Sequence, residues 1–97
     1  MKKKMKFNQK VSFAPISIEE YVHLHLKSNP DDTREDVTLR LRSALQDHHR
    51  GVRCSCGNLI WVIGSAVMGN ACFTCITGEA VPDEDYEIDQ AIESVRE

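Results

Sequence analysis

The sequence predicts a single α+β domain over residues 1–97, with two amino-terminal helices, a β-hairpin and an acidic carboxy-terminal segment. Three observations lead to this fold class: two helix start signals before residue 34, an apolar β-branched run after residue 58, and two cysteine pairs that flank that run. A length of 97 residues fits one compact domain, and 41% apolar and 28% charged residues are typical of a globular protein.

Residues 1–16 are predicted to be a flexible basic arm, because five lysines lie within the first ten residues and Pro15 disfavours a helix. The apolar stretch that follows the basic start of a signal peptide is missing. No apolar run approaches the ~20 residues that cross a bilayer. We therefore expect a cytoplasmic protein, with no membrane partner, in which cysteine thiols stay reduced.

The helical part, residues 17–51, has two start signals. Ser17 and Glu20 form a capping box that predicts a short helix over about 18–27. Asn29 as a cap and Pro30 at the first helical position predict a second helix over 30–49, and Gly51 is a natural terminator. The second helix is amphipathic, with one apolar face made by Val37, Leu41, Ala44, Leu45 and His48.

The segment 59–70 is predicted to form the β-hairpin. Residues 59–63 are apolar and rich in β-branched side chains, Gly64 and Ser65 interrupt them, and residues 66–68 resume the apolar pattern. Residues 81–97 are predicted to be a solvated acidic tail or a short helix over about 84–95. Residues 54–97 carry one arginine and eight acidic residues, whereas residues 1–53 carry eleven Lys/Arg and seven Asp/Glu.

The four cysteines are the strongest functional signal: Cys54-x-Cys56, fifteen residues, then Cys72-x-x-Cys75. Two close pairs of thiolates separated by a hairpin-length segment are typical of a tetrahedral zinc site. We expect one Zn²⁺ per chain, held by Cys54, Cys56, Cys72 and Cys75. Gly57 and Gly78 are expected to take the backbone angles that tight turns around a metal require.

Over residues 52–80 the chain resembles the zinc-ribbon proteins, including small uncharacterised bacterial proteins of this kind. The resemblance implies a structural four-thiolate site without an open coordination position, although the first pair is one residue tighter than the usual Cys-x-x-Cys. Iron in a rubredoxin-type site, disulfides, or a redox-active Cys72–Cys75 pair remain alternatives. His48 or His49 could also replace a cysteine as a ligand, although a histidine at a helix end has a simpler explanation in the helix dipole.

The sequence suggests a binding protein rather than an enzyme. It contains no recognisable catalytic residues, cofactor-binding motif or site for a small-molecule substrate. We expect a protein-interaction or assembly module, in which the hairpin face of Leu59–Ile63, with Trp61, contacts a partner protein or a second copy. The alternative is a nucleic-acid-associated protein, and its basic strip would consist of the Lys-rich arm, Arg40, Arg42, Arg50 and Arg53. Residues 54–95 contain no Lys or Arg, so binding of nucleic acid by the cysteine-bearing part is unlikely on charge grounds.

Overall fold

A computed structural model describes residues 13–83 and 85–95 of the chain. Five helices and a two-stranded parallel sheet confirm the predicted α+β class. In chain order the elements are β1 (Ala14–Ile16), α1 (Ile18–Ser28), α2 (Arg34–His49), α3 (Val62–Met68), α4 (Phe73–Thr77), β2 (Tyr86–Ile88) and α5 (Asp89–Val95).

The two amino-terminal helices are confirmed, with one corrected boundary. The Ser17 hydroxyl accepts a hydrogen bond from the Glu20 amide at 3.0 Å and begins α1 as predicted. The second helix starts four residues later than expected, because Thr33 rather than Asn29 caps it and accepts from the Asp36 amide at 3.1 Å. Asn29 instead ends α1, where its backbone and side-chain N–H groups both donate to the His25 carbonyl oxygen.

The predicted β-hairpin is wrong, since residues 62–68 form helix α3. A short apolar run is compatible with either a buried strand or a buried helix, and tertiary contacts decide between them. Here the deciding contact is Glu87, whose carboxylate accepts hydrogen bonds from the Val62 and Ile63 amides at 2.8 and 3.2 Å. These are amides that the first turn of a helix leaves without partners, so Glu87 caps a helix whose own N-cap residue, Trp61, makes no side-chain cap.

Both chain ends also differ from their predictions. Ala14–Ile16, assigned to the flexible arm, form β1 and pair in parallel with β2, with Ala14 opposite Tyr86 and Ile16 opposite Ile88. Residues 1–12 of the arm lie outside the described residues. The predicted helix over about 84–95 begins only at Asp89, because residues 86–88 are extended and Glu87, expected in a solvated acidic segment, is buried.

The core lies where α1, α2, α3 and β2 meet, and its most deeply buried side chains are Val22, Leu41, Val62 and Ile88. Ile60, Val62 and Ile63 are all buried, so the predicted exposed face of residues 59–63 is wrong. Trp61 is half-buried, stacks with Phe13 and donates from Nε1 to the Tyr86 carbonyl at 2.8 Å. In the part of the chain that the structure describes, no helix has the length and apolar character needed to span a bilayer.

Candidate metal centre

Cys54 and Cys56 lie in a tight loop between α2 and α3. Arg53 and Leu59 close the loop with an antiparallel bridge, and the Cys54 amide donates to the Asn58 carbonyl at 2.9 Å. Within the loop the Gly57 amide donates to the Cys54 carbonyl at 2.8 Å. This turn requires a φ of +96° at Gly57, a conformation that residues with a Cβ rarely adopt.

Cys72 and Cys75 lie at the beginning of α4. Cys72 is the N-cap residue, and its Sγ accepts a hydrogen bond from the Cys75 amide at 3.4 Å. Gly78 ends the same helix with a φ of +84°, so both glycines predicted to shape the turns have left-handed backbone conformations. One short helix therefore presents the second cysteine pair, where a tight turn around the metal was expected.

The structure brings all four predicted cysteines together. Their Sγ atoms lie within 4.8 Å of one another, and the Cys56 and Cys72 sulfurs are 3.5 Å apart. Four sulfurs around one Zn²⁺ with bonds of ~2.3 Å are about 3.8 Å apart at the corners of a tetrahedron. The thiols are free, and 3.5 Å is too long for an S–S bond of ~2.05 Å. The donor set and its spacing therefore fit a single metal ion that favours thiolates.

The protonation of the thiols is uneven across the cluster. Backbone hydrogen bonds from Cys56 and Cys72 lower the pKa of Cys54 to about 6, so this thiol is largely ionised at neutral pH. A backbone hydrogen bond from Cys75 lowers the pKa of Cys72. Side-chain hydrogen bonds with the sulfurs of Cys54, Cys72 and Cys56 raise the pKa of Cys75 to about 12, because these contacts favour the protonated Cys75 thiol and penalise the loss of its proton. A cation in the cluster would remove that penalty and displace the Cys75 proton.

Asn58 is a member of the site that the sequence did not reveal. Its Nδ2 donates to the Cys56 Sγ at 3.4 Å and reaches the Cys72 Sγ at 3.9 Å, so one side chain contacts a sulfur from each pair. Donors around a metal site orient the ligands and partly neutralise their charge. The sequence held one indication of this role: Asn58 is an amide side chain two residues after Cys56, directly after the Gly57 turn.

Neither histidine considered as a substitute ligand joins the cluster found among the described residues. His48 is buried on the inner face of α2, and burial, followed by the charge of His49, lowers its pKa. His49 Nε2 lies 3.4 Å from the Gln90 carbonyl oxygen, beside α5.

Three of the four arginines in the nucleic-acid alternative have partners within the chain. Arg40 pairs with Asp36, and Arg50 lies 3.8 Å from an Asp47 carboxylate oxygen. Arg53 donates from its guanidinium to the Gly57 carbonyl at 2.9 Å. These contacts partly satisfy the guanidinium groups, and the nucleic-acid alternative stays a prediction.

The chain between the cysteine pairs differs from that of a zinc ribbon. Residues 59–71 contain helix α3 and no hairpin, so the resemblance extends to the four-cysteine cluster but not to its connection. Comparisons with models of protein families, with curated proteins and with solved structures find no match to this chain. The cluster itself is therefore the principal indication of function.

Proposed function

We propose that the protein binds one structural zinc ion through Cys54, Cys56, Cys72 and Cys75 and acts as a protein-interaction or assembly module. The observation that carries the proposal is the convergence of four free thiols within 4.8 Å. Four thiolates complete a tetrahedral shell around zinc, which leaves no position for a substrate or a water molecule. A structural role therefore accounts for the donor set better than catalysis at the metal.

The ion would brace two segments that have little secondary structure of their own. The loop of residues 53–59 contains only an isolated bridge, and α4 is five residues long. Helices of this length are not stable without tertiary contacts. When bound, zinc would neutralise part of the thiolate charge and link the loop to α4, so that metal binding and folding of this region are coupled.

The proposed interaction surface is the α2–α3 surface, which we define by Leu39, Val67 and Met68. Their exposed fractions are 67%, 58% and 69%, unusually high for large apolar side chains. Leu39 and Ala66 line a shallow groove between α2 and α3, and Val67 and Met68 follow Ala66 directly. Exposed apolar patches of this kind are typical of contact sites between proteins.

Elemental analysis of the purified chain tests the metal assignment. We expect one zinc per chain, loss of zinc in Cys75→Ser, and unfolding of the region around α4 in that variant. Ser55→Ala is the matched control, since Ser55 lies in the same loop, is exposed and is not a candidate ligand. A Cys75→Ser variant that stays folded without metal would contradict the structural role.

Sedimentation over a range of concentrations tests the interaction surface in its simplest form, self-association. We expect reversible association of the zinc-loaded chain and its loss in the double variant Val67→Ser, Met68→Ser. Leu24→Ser is the control, because Leu24 is an exposed apolar residue on α1 that does not belong to the α2–α3 surface. A chain that is monomeric at all concentrations would refute assembly through a second copy.

A further inference from the structure

A cavity of about 390 Å³ lies beside the metal centre. Cys72 and Asn58, which belong to the centre, form part of its wall, and Glu87 and His48 contribute the other ionisable side chains. This volume falls within the ~300–1,000 Å³ that is usual for small-molecule sites, which combine apolar walls with a few polar groups. The arrangement points to a ligand site that the four cysteines alone do not explain.

The apolar wall of the cavity includes a cluster of three aromatic rings. The Trp61 and Phe73 rings pack edge to face with centroids 5.0 Å apart, and Phe13 stacks on Trp61 at 5.8 Å. The remaining apolar lining includes Leu59 and Ile60, which precede α3, and Ala91 and Ile92 of α5. A ligand that fits these walls has an apolar body.

The charge on the described side chains that line the cavity is of one sign. Glu87 is the only acidic residue among the described residues that line it, and none of those residues is Lys or Arg. His48 is kept neutral because burial and the neighbouring His49 lower its pKa. The adjoining centre would also be net negative when loaded, since four thiolates outweigh one divalent ion.

The Glu87 carboxylate retains capacity for one more partner. Its two oxygens accept hydrogen bonds from three backbone amides, those of Val62, Ile63 and Ile88, at 2.8–3.2 Å. A carboxylate offers about four acceptor positions, so about one is left for a donor from a ligand. Only 4% of the Glu87 surface is exposed to solvent, so a cation that reached it would be poorly screened by water.

We propose that this cavity binds a small organic cation, an ammonium group on an apolar body, with the ammonium group at Glu87 and the body against Trp61 and Phe73. Charge complementarity selects the cation, and aromatic faces add attraction for it. This ligand site goes beyond the proposed structural zinc function.

Trp61 is the single tryptophan of the chain and lines the cavity, so its fluorescence reports occupancy. The full-length zinc-loaded protein is titrated at about pH 8.5, above the pKa of about 7 that burial gives Glu87, so that the carboxylate is ionised. The three probes are of similar size: phenethylamine, phenethyl alcohol and phenylacetate. We expect a saturable change with phenethylamine, binding at least about tenfold weaker with the alcohol, and no saturation with phenylacetate. A linear, non-saturating change counts as no binding. Equal affinity for the three probes, or no saturation with any, would overturn the proposal.

Two variants assign the effect to the cavity. Glu87→Gln keeps hydrogen-bond acceptance but removes the charge, and it is expected to abolish the preference for phenethylamine over the alcohol. Thr74→Lys places a cation at the exposed rim of the cavity, and it is expected to weaken phenethylamine binding about tenfold relative to Ser43→Lys, which adds the same charge at an exposed position on α2 that does not line the cavity. If Glu87→Gln fails to fold, the two lysine variants decide, and equal affinities in them would refute the assignment. Zinc content is measured in every sample, so a lost ligand site is distinguished from a lost metal centre.

Discussion

Replacing Glu87 with glutamine is expected to remove the contribution that titration of Glu87 makes to the pH dependence of the free energy of unfolding. Burial raises the pKa of Glu87 to about 7 from its ordinary value of 4.5, although hydrogen bonds from the amides of Val62, Ile88 and Ile63 oppose the shift. The folded chain therefore holds this proton more tightly than the unfolded chain. The resulting contribution to stability is fully present below about pH 4.5, decreases as the pH rises and is lost above about pH 7.

The size of this component follows from the two pKa values. The difference between a pKa of 4.5 in the unfolded chain and about 7 in the folded chain corresponds to roughly 3 kcal/mol, of which about 2.5 kcal/mol is lost between about pH 5 and about pH 8. Glutamine can still accept from the amides that begin α3 but does not titrate. The free energy of unfolding is measured by urea denaturation of zinc-loaded protein at several pH values, for the wild type and for Glu87→Gln.

The quantity to compare is the wild-type free energy minus that of Glu87→Gln, because the titration of the cysteines is common to both chains. We expect this difference to fall by about 2.5 kcal/mol as the pH rises from about 5 to about 8. A difference that stays constant would show that Glu87 is ionised throughout, and the argument from burial would be refuted.

Three further results are expected. Gly64→Ala should destabilise the fold by about 1–3 kcal/mol, because a Cβ at this position would lie 2.5 Å from Trp61 Cε3 and 2.7 Å from Ile76 Cδ1. Thermal unfolding followed by Trp61 emission measures the loss, and unchanged stability would show that the packing around Gly64 is looser. Thr33→Ala should cost about 1 kcal/mol in urea denaturation, whereas retention of full stability would indicate that α2 is capped elsewhere. The thiols of zinc-loaded protein should react slowly with a thiol reagent and rapidly after a chelator is added; equal rates in both conditions would favour a redox pair or free thiols over a metal site.

The first two helices could be predicted because the interactions that define them are local. Ser17 and Glu20 are three residues apart, and the apolar face of α2 repeats at helical spacing. The start of α2 was misplaced because two capping residues, Asn29 and Thr33, stand close together, and the sequence alone does not show that Asn29 is used to end α1.

Helix α3 could not be predicted, since the group that caps it is distant in the sequence. Glu87 lies twenty-five residues after Val62, and it reaches that amide only because β2 pairs with β1 from the opposite end of the chain. The same contact explains why an acidic residue expected in solvent is buried. Without it, the β-branched run of residues 59–63 favours a strand.

The cysteine cluster could be predicted because metal binding depends more on the spacing of the cysteines in the sequence than on the secondary structure that holds them. The pairs converge although a helix, not a hairpin, joins them. Cys72 caps α4, so it lies at a helix start, a position that is typical of the reactive cysteine in a redox-active pair. The convergence of all four sulfurs is now the observation that favours a metal.

X-ray absorption at the zinc edge of the purified full-length chain tests the central claim most directly, because it reports the atoms bound to the metal. We predict four sulfur ligands at about 2.3 Å and no nitrogen or oxygen neighbour at bonding distance. A shell that contains a histidine nitrogen or a water oxygen, or a chain that retains no zinc, would contradict the assignment of Cys54, Cys56, Cys72 and Cys75 as a closed structural site.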